Sequence, residues 1–409
     1  MDDLDVTVIT SMTDIFCLKE GWENILAENQ EDNLYYSFDW FYAASFFYID
    51  PIDSPFIVCV KKKQKLIAIL PCCIMKKRLR LFSFNRLELI GNIYSAYRGG
   101  IVLKGKECEV ASAIVDFLLK YRAMWDILHF EDIPESDPFL AAAIHFFAEK
   151  KGVIRLSEQY AKLVIDAYPG MRSADYWRKL GKNLKQHIRA AINRMNRNGG
   201  FIIVPTTLPD QDIQTAMDHY YEIFSHSWKE PEIDPQFHRK LAAYLLTKGK
   251  LRLFTLYFKK EETCPDDIVY PILSYESDLA PDQKIPEGYL PIATSFYAVN
   301  GRYACLLKTA YREDHAVYSS GTVLSWFVVK WLLDKDHVTM IDFQKEADAY
   351  KFKWGRIKER HMRLQVANTR SPKAVFELWT EKTVVPVVRK IKESISGRLS
   401  RPMFRQYQP

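Results

Sequence analysis

The chain has 409 residues, more than one ordinary hydrophobic core accommodates, so two domains are expected. Its 48% hydrophobic and 26% charged residues are typical of a globular protein that buries a sizeable core. The net charge is +6, but residues 380–409 carry seven basic and two acidic residues, which accounts for +5 of it. The rest of the chain is close to neutral and gives no general signal for nucleic-acid binding.

The cysteines, the N-terminal residues and the apolar runs indicate the cellular compartment of the protein. Seven cysteines at irregular spacing form neither a disulfide framework nor a zinc-binding pattern, and no metal site is predicted. The opening MDDLDVTVIT is acidic and lacks the basic-then-apolar order of a signal peptide. No run of eighteen apolar residues occurs, so no transmembrane helix is expected. We therefore predict a cytoplasmic protein.

The first half of the chain is predicted to begin with two helices. Apolar residues recur every three or four positions at 13–28, and the stretch 37–49 is strongly aromatic. The segment PFIVCVKKKQKLIAILPCCIM is apolar, then charged, then apolar, which indicates a β-hairpin. Short strands with glycine breaks follow, then a helix near 107–121 and the buried strand WDILHFEDIP.

The second half repeats this order of helices, hairpin, helix and strand. Asn300-Gly301 joins two apolar runs and predicts a hairpin in which both turn residues have positive φ. The other predicted elements are helices at 209–226, 235–248 and 322–333, the strands LRLFTLYF and VTMIDF, and a polar insertion at 259–290. The repeated order indicates an ancient internal duplication.

A basic helix is predicted between the halves, over residues 176–200, and Gly199-Gly200 closes it. Its apolar residues keep to one stripe. His187 and Arg189 lie on it and are predicted to contact an anionic carrier. The alternative is an ordinary solvated basic face.

Four small residues precede the very apolar helix of the second half: Ser319, Ser320, Gly321 and Thr322. The first turn of a helix exposes unpaired backbone N–H groups, and the helix dipole adds positive potential there. Small side chains let an anion such as a pyrophosphate approach these groups, so we predict an anion site. The alternative is that Ser320 or Thr322 simply caps the helix.

The sequence resembles the GNAT-type acetyltransferases of cellulose and polysaccharide synthesis, the CelD/BcsL group, which is related to the Fem-type peptidoglycan aminoacyltransferases. The resemblance covers about residues 15–380 and rests on WDILHFEDIPESDP, LGKNLKQHIRAAINRMNRNGG, YSSGTVL and IDFQKEADAYKFKWG. It implies an α/β (α+β) fold of tandem GNAT-like domains, each a mixed, mostly antiparallel sheet flanked by helices. The predicted parts are an N-terminal domain at 1–170, the connecting helix at 171–200, a C-terminal acyl-CoA domain at 201–380 and a tail at 381–409.

The resemblance implies acetyl-CoA, or another acyl-CoA, as the acyl donor. Its pyrophosphate is expected on the amides of residues 319–322, and its pantetheine beside Leu306, Leu307 and Lys308. Two departures from the family pattern stand out. Only Gly321 remains of the usual glycine-rich pyrophosphate loop, and Gln344 follows Phe343 where the family often has glycine.

Three residues are candidates for catalysis. Asp342 ends a predicted strand where the sheet should splay, and a half-buried carboxylate there is expected to have a raised pKa and to act as a base. The alternative is that Asp342 caps the following turn. Tyr311 and Tyr350 are the other catalytic candidates, and the predicted substrate contacts are His187, Arg189, Trp228, Asp314 and Lys351.

The function implied is transfer of an acyl group from acyl-CoA to an amine or hydroxyl of a sugar or glycan precursor in cell-envelope or exopolysaccharide biosynthesis. Nucleic acid is not an expected partner, except in the alternative of a Fem-like enzyme that uses charged tRNA. A second alternative is a non-catalytic partner in polysaccharide export. The tail at 381–409 has apolar residues at helical spacing opposite basic ones, which predicts peripheral contact with an anionic membrane, or packing on the protein body.

Overall fold

Helices pack on both faces of one long sheet. The computed structural model describes residues 4–47, 54–79, 82–259, 272–280, 284–285, 287–345 and 350–383. Within these residues a 13-stranded mixed sheet runs through both halves of the chain. The predicted α/β (α+β) class is confirmed, although the two expected sheets are joined edge to edge into one.

Most of the elements predicted for the first half are present in the structure. They are β1 (Leu4–Ile9), α1 (Lys19–Asn29), α2 (Phe38–Phe46), β2 (Pro55–Lys62), β3 (Lys65–Leu79), β4 (Phe82–Leu89), β5 (Ile101–Val102), α3 (Glu107–Lys120), β6 (Ile127–Pro134), α4 (Pro138–Glu149) and β7 (Val153–Asp166). The predicted hairpin is β2–β3, and the predicted helices are α1, α2 and α3. A short 3-10 helix at Thr13–Leu18 forms the first part of the helix expected at 13–28.

The second half also follows the predicted order. Its elements are α5 (Ser173–Lys179), α6 (Lys182–Arg197), β8 (Phe201–Thr206), α7 (Ile213–Ser225), α8 (Pro235–Thr247), β9 (Leu251–Lys259), β10 (Tyr289–Asn300), β11 (Tyr303–Tyr311), α9 (Ser320–Asp334), β12 (Met340–Asp342), β13 (Arg356–Ala367) and α10 (Pro372–Thr383). The predicted basic tail lies outside the described residues from 384 onward.

The single basic helix predicted over 176–200 is wrong, because the chain forms two helices there. Leu180 and Gly181 have extended backbones, with ψ of 145° and 143°, and separate α5 from α6. Glycine inside a helix costs about 1 kcal/mol relative to alanine but is accepted as an N-cap. The predicted end of the helix is confirmed, since Gly199 and Gly200 have positive φ directly after α6.

The β10–β11 hairpin is confirmed, but its turn is one residue later than expected. Asn300 pairs with Tyr303, so the two turn residues are Gly301 and Arg302. Of these, only Gly301 has positive φ, at 54°. A side chain at this glycine would overlap the carboxylate of Asp32, which accepts a hydrogen bond from the Arg302 N–H at 3.0 Å.

The last strand of the chain lies among strands of the first half. The sheet order is β1-β2-β3-β4-β6-β13-β7-β12-β11-β10-β9-β8, with β5 beside β3. Strand β13 therefore pairs with β6 and β7, while the end of β7 pairs with β12. Each half of the chain contributes a strand beside the other half, so the middle of the sheet belongs to both.

The second half of the sheet has a core on each face. Helices α6 and α9 cover one face, where Leu256 and Leu306 are buried, and α7 and α8 cover the other, where Leu253 and Leu307 are buried. Helix α9 has nine buried residues, which explains its nearly uniform apolar character. Among the described residues, no helix is both long enough and apolar enough to cross a membrane.

Candidate functional site

A cleft of about 1680 Å³ opens between the start of α6, the start of α9 and the segment 350–356. The end of β11 and the loop after α7 form its other walls. Residues predicted separately from five parts of the sequence line it together: His187, Trp228, Lys308, Tyr311, Gly321, Thr322 and Tyr350. This cleft is the candidate active site.

The start of α9 has no side-chain cap. Ser319 precedes the helix in the left-handed conformation, with φ of 53°, and its side chain makes no capping hydrogen bond. Its carbonyl oxygen accepts from the N–H groups of Thr322 and Val323, at 2.9 and 3.1 Å. Ser320 is fully buried, whereas Gly321 and Thr322 line the cleft from this first turn. The helix dipole places positive potential at this end, so an anion in the cleft can approach the backbone at Gly321.

The glycine at this helix start leaves room beside an aromatic pair. A Cβ on Gly321 would lie 3.0 Å from Cδ1 of Tyr311, closer than nearly all ordinary contacts. The Tyr311 ring packs against Trp228, with ring centroids 4.4 Å apart, and Trp228 is 49% exposed. A larger side chain at position 321 would therefore displace Tyr311 or block the approach to the backbone.

Strand β11 separates from its neighbour next to the same place. It pairs with β12 in parallel only at Tyr303–Cys305. The register with β10 shifts there, since Tyr297 faces Leu306 and Phe296 faces Lys308, so that Leu307 has no partner of its own. Such a bulge increases the local twist and leaves backbone groups outside the ladder. Among the described residues, no residue of β11 beyond Cys305 pairs with β12.

The cleft is electropositive. Five cationic and two anionic side chains line it, namely Lys179, Lys229, Lys308, Lys353 and Arg356 against Asp166 and Glu230. Arg356 lies 2.6 Å from Asp166, and Lys308 lies 3.9 Å from Glu232, so both pairs are locally neutral and the surplus comes from Lys179, Lys229 and Lys353. A cleft lined by an excess of one charge raises the local concentration of ligands with the opposite charge.

His187 is a neutral base in the wall of the cleft. Burial and the nearby charges of Lys353 and Arg194 hold the pKa of His187 below its usual value of 6.5. Among the described residues, neither ring nitrogen has a hydrogen-bond partner, and the residue lines the cleft from the second turn of α6. A neutral imidazole with free ring nitrogens can accept a proton at neutral pH.

Asp342 was expected in a half-buried crevice, and the structure instead buries it fully, away from the cleft lining. One carboxylate oxygen accepts from Lys162 Nζ at 2.6 Å and from the Tyr303 hydroxyl. The other accepts from the Gln344 N–H at 2.7 Å, as in the turn-capping alternative. All of these partners satisfy the carboxylate within the core.

Three predicted substrate contacts also lie outside the cleft lining. The Arg189 guanidinium stacks on the ring of Tyr275, 4.6 Å from its centroid. Asp314 accepts hydrogen bonds from Arg312, which holds the pKa of that carboxyl far below its usual range. Lys351 is buried and donates to a backbone carbonyl at 2.9 Å. Leu306, Leu307, Ser319 and Ser320 lie beside the cleft without lining it.

Several lining residues were missed from the sequence, including Lys179, Gly181 and Lys353. For Lys353 the available signal was the stretch before β13, which belongs to the quoted family motif. A Cβ on Gly355 would lie 2.5 Å from the carbonyl oxygen of Val164, so glycine there lets the chain pass close to β7. This close approach places Trp354 and Arg356 in the wall of the cleft.

Neither protein-family models nor curated protein sequences match the chain. Among solved structures it is similar to FemX, with a TM-score of 0.57 and 8% identity over 90% of this chain and 98% of that chain. It also resembles the C-terminal domain of a putative lysylphosphatidylglycerol synthetase from Agrobacterium fabrum, with a TM-score of 0.48 and 11% identity over 89% and 95% of the chains. A tandem GNAT protein from the clavulanic acid biosynthesis pathway has a TM-score of 0.46 and 11% identity over 89% and 98%.

At these identities the comparisons bear on the fold alone. The CelD/BcsL resemblance is not confirmed by them and stays a prediction. The chain has the fold of FemX.

Proposed function

We propose that this protein is an acyltransferase that moves an acyl group from acetyl-CoA, or another acyl-CoA, to an amine or hydroxyl of an acceptor in the cleft. The observation that carries the proposal is the juxtaposition of an uncapped helix start at Gly321 with the free edge of β11, inside an electropositive cleft.

The donor's diphosphate fits the start of α9. Gly321 lines the cleft from the first turn of α9, and the helix dipole adds positive potential there. Lys229 supplies further positive charge in the same cleft, whereas the charge of Lys308 is offset by Glu232, 3.9 Å away. These groups together favour binding of the doubly charged diphosphate of the donor over binding of a neutral group.

The rest of the donor fits the free edge of β11. Amide groups of a pantetheine arm are able to hydrogen-bond a strand edge in the way that an added strand does. The bulge at Leu307 interrupts the ladder with β10, and we assign a backbone N–H at this point of β11 to stabilise the negative charge that develops on a thioester oxygen. Leu306, Leu307 and Lys308 are the residues that we assign to this contact.

The transfer also needs a proton acceptor and a proton donor. When the acceptor nitrogen or oxygen bonds to the acyl carbon it loses a proton, and the departing thiolate gains one. We assign the first role to His187, which is neutral and faces the cleft. Tyr311 and Tyr350 carry hydroxyls in the same cleft and are candidates for the second. Asp342 is not assigned a role, because its carboxylate is buried and paired.

The acceptor class rests on the family resemblance and on room in the cleft. A cavity of about 1680 Å³ exceeds the usual size of a single small-molecule site, about 300–1,000 Å³, and therefore has space for two substrates. Trp228 is half exposed in its wall, and an exposed indole face suits the ring of a sugar. We therefore keep a sugar or glycan precursor as the proposed acceptor.

A Fem-like enzyme that uses charged tRNA is the second candidate. The likeness to FemX and the positive cleft favour it. Binding of tRNA would have to be strongly salt-dependent, because phosphate contacts release counterions. Binding of acetyl-CoA does not share this steep dependence, which separates the two candidates.

Calorimetric titration with acetyl-CoA, free CoA and charged tRNA tests the proposal. We expect acetyl-CoA and CoA to bind, and Gly321→Glu to abolish their binding by placing a carboxylate at the diphosphate position. Val317→Glu is the matched control, since this exposed residue precedes α9 without lining the cleft. Binding of tRNA alone would replace acyl-CoA as the donor, and binding unaffected by Gly321→Glu would refute the assigned site.

A further inference from the structure

Helix α10 is apolar on two sides, and the sheet covers only one of them. Ala374 and Leu378 are buried in one cluster with residues of β4, β6 and β13. On the outer side of the helix, Phe376 is 51% exposed and Trp379 is 59% exposed. A helix that is apolar all round is normally buried all round. The outer side of α10 therefore has the composition of a packing surface.

An apolar groove runs along this outer side. It has a volume of about 570 Å³ and lies between α10 and the start of β7. Its lining is apolar apart from Arg155 and Thr369, and consists otherwise of Val153, Ile154, Pro372, Val375, Phe376, Leu378 and Trp379. The volume lies within the range of small-molecule sites, about 300–1,000 Å³, and gives room to several aliphatic side chains.

The charges around the groove do not select an anionic partner. In its lining, Arg155 is the one charged residue. Lys373 of α10 lies 2.9 Å from Asp126, so that pair is locally neutral. The groove is therefore suited to an apolar face and gives no preference for a charged one.

The chain supplies such a face directly after α10. From residue 384 onward the sequence lies outside the described residues, but its pattern is informative. Val388, Ile391 and Ile395 recur at three- and four-residue spacing, which predicts an amphipathic helix. Pro386 suits the first turn of that helix, and Gly397 suits its end. We call residues 386–397 the tail segment.

The connection between α10 and the tail segment suits a sharp reversal of the chain. Helix α10 ends at Thr383, about one turn beyond Trp379. A residue that precedes proline disfavours the helical conformation, so α10 is not expected to continue straight through Val385. Two antiparallel helices are joined by roughly two to five residues, and Val384 and Val385 provide two.

We propose that the tail segment packs as a helix antiparallel to α10, with its apolar stripe in the groove. The short connection gives the segment an effective concentration of about a millimolar, which a second copy of the chain does not reach in dilute solution. The basic residues Arg389 and Lys390 lie on the side opposite the stripe, where water solvates them. This inference is independent of the proposed acyl transfer.

Hydrogen exchange of the full chain, measured by mass spectrometry, tests the proposal. We expect the amides of the tail segment to exchange at least about tenfold more slowly than those of a synthetic peptide of residues 384–409. Val388→Ser with Ile391→Ser should remove this protection, and so should Phe376→Ser with Trp379→Ser. Thermal unfolding of both variants is recorded alongside. The first pair changes only residues beyond α10, so it supplies the test if the aromatic pair does not fold.

The chain provides matched controls. Arg389→Ser with Lys390→Ser places two serines on the other side of the tail segment. Ile233→Ser with Ile272→Ser removes two apolar side chains that are 67% and 79% exposed elsewhere. Both controls should keep the protection of the tail segment within about twofold of the wild type.

Four outcomes would overturn the proposal. Exchange of the tail segment at the rate of the free peptide shows that it does not dock. Protection that survives both variant pairs places the segment on a different surface. Protection that disappears on dilution together with a dimer, measured by light scattering, shows that the segment docks on a second copy. Protection that requires vesicles of phosphatidylcholine and phosphatidylglycerol identifies a bilayer as its partner.

Discussion

Lys162 and Asp342 form an ion pair in which Lys162 Nζ lies 2.6 Å from a carboxylate oxygen, and both side chains are fully buried. Lys162 lies on β7 of the first half, and Asp342 ends β12 of the second. The ammonium group also lies 3.1 Å from the centroid of the Tyr97 ring. The pair therefore sits where the two halves of the chain share the sheet, and its partners hold it in the core.

Asp342→Ala should destabilise the protein by about 3–5 kcal/mol, because it leaves the Lys162 charge buried without its partner. Urea unfolding followed by circular dichroism measures the loss. The double variant Asp342→Leu with Lys162→Met removes both charges and should recover much of the stability. An Asp342→Ala protein that unfolds like the wild type but no longer transfers an acyl group would instead make Asp342 the base.

His361 should make the fold sensitive to acid. Burial and the charges of Lys162 and Lys345 lower the pKa of His361 to about 3, from 6.5 in a model peptide. Between these two values the unfolded chain binds the proton that the native state refuses, so stability falls as pH decreases from 6.5 toward 3. The loss attributable to this residue is about 5 kcal/mol at most.

The measurement is the difference in unfolding free energy between the wild type and His361→Gln at several pH values. The difference should change steeply between pH 6.5 and 3 and stay constant above pH 7. His145→Gln is the matched control, because the His145 side chain is 66% exposed. A variant that keeps the acid sensitivity of the wild type would show that His361 is not its source.

Local patterns predicted the elements of the fold, and long-range contacts decided what the patterns missed. Helical periodicity and the turn glycine at 301 located most helices and the β10–β11 hairpin, because both signals are encoded within a few residues. Strand β13 of the second half pairs with β7 of the first half across some 200 residues, and no local sequence pattern encodes that pairing.

The same distinction holds for the candidate site. The small residues at 319–322 predicted a helix start without a side-chain cap, because this property depends only on residues that are adjacent in the sequence. The burial of Asp342 was missed because its partner, Lys162, lies 180 residues earlier in the chain. An aspartate at the end of a strand has the same neighbours in the sequence whether its side chain faces a cleft or pairs with a buried lysine.

Ser319→Gly should be neutral or stabilise the protein by up to about 1 kcal/mol. Ser319 has φ of 53°, a left-handed conformation that strains a residue with a Cβ, whereas glycine adopts it freely. The greater freedom of glycine in the unfolded chain offsets part of the gain. Ser325→Gly is the control, since this residue lies inside α9 and should lose about 1 kcal/mol. Thermal unfolding compares the two, and equal losses would contradict a left-handed Ser319.

His187 should report on the binding of an anion in the cleft. Burial and the charges of Lys353 and Arg194 keep its pKa below 6.5 in the free protein. A bound diphosphate would offset that positive charge and favour the imidazolium, so the pKa of His187 should rise when CoA is added. A proton NMR titration of the imidazole signals measures the shift, and His187→Gln identifies which of the nine histidines gives the signal. If CoA binds and His187 titrates unchanged, the diphosphate lies elsewhere, and the assignment of His187 as the proton acceptor loses its geometric basis.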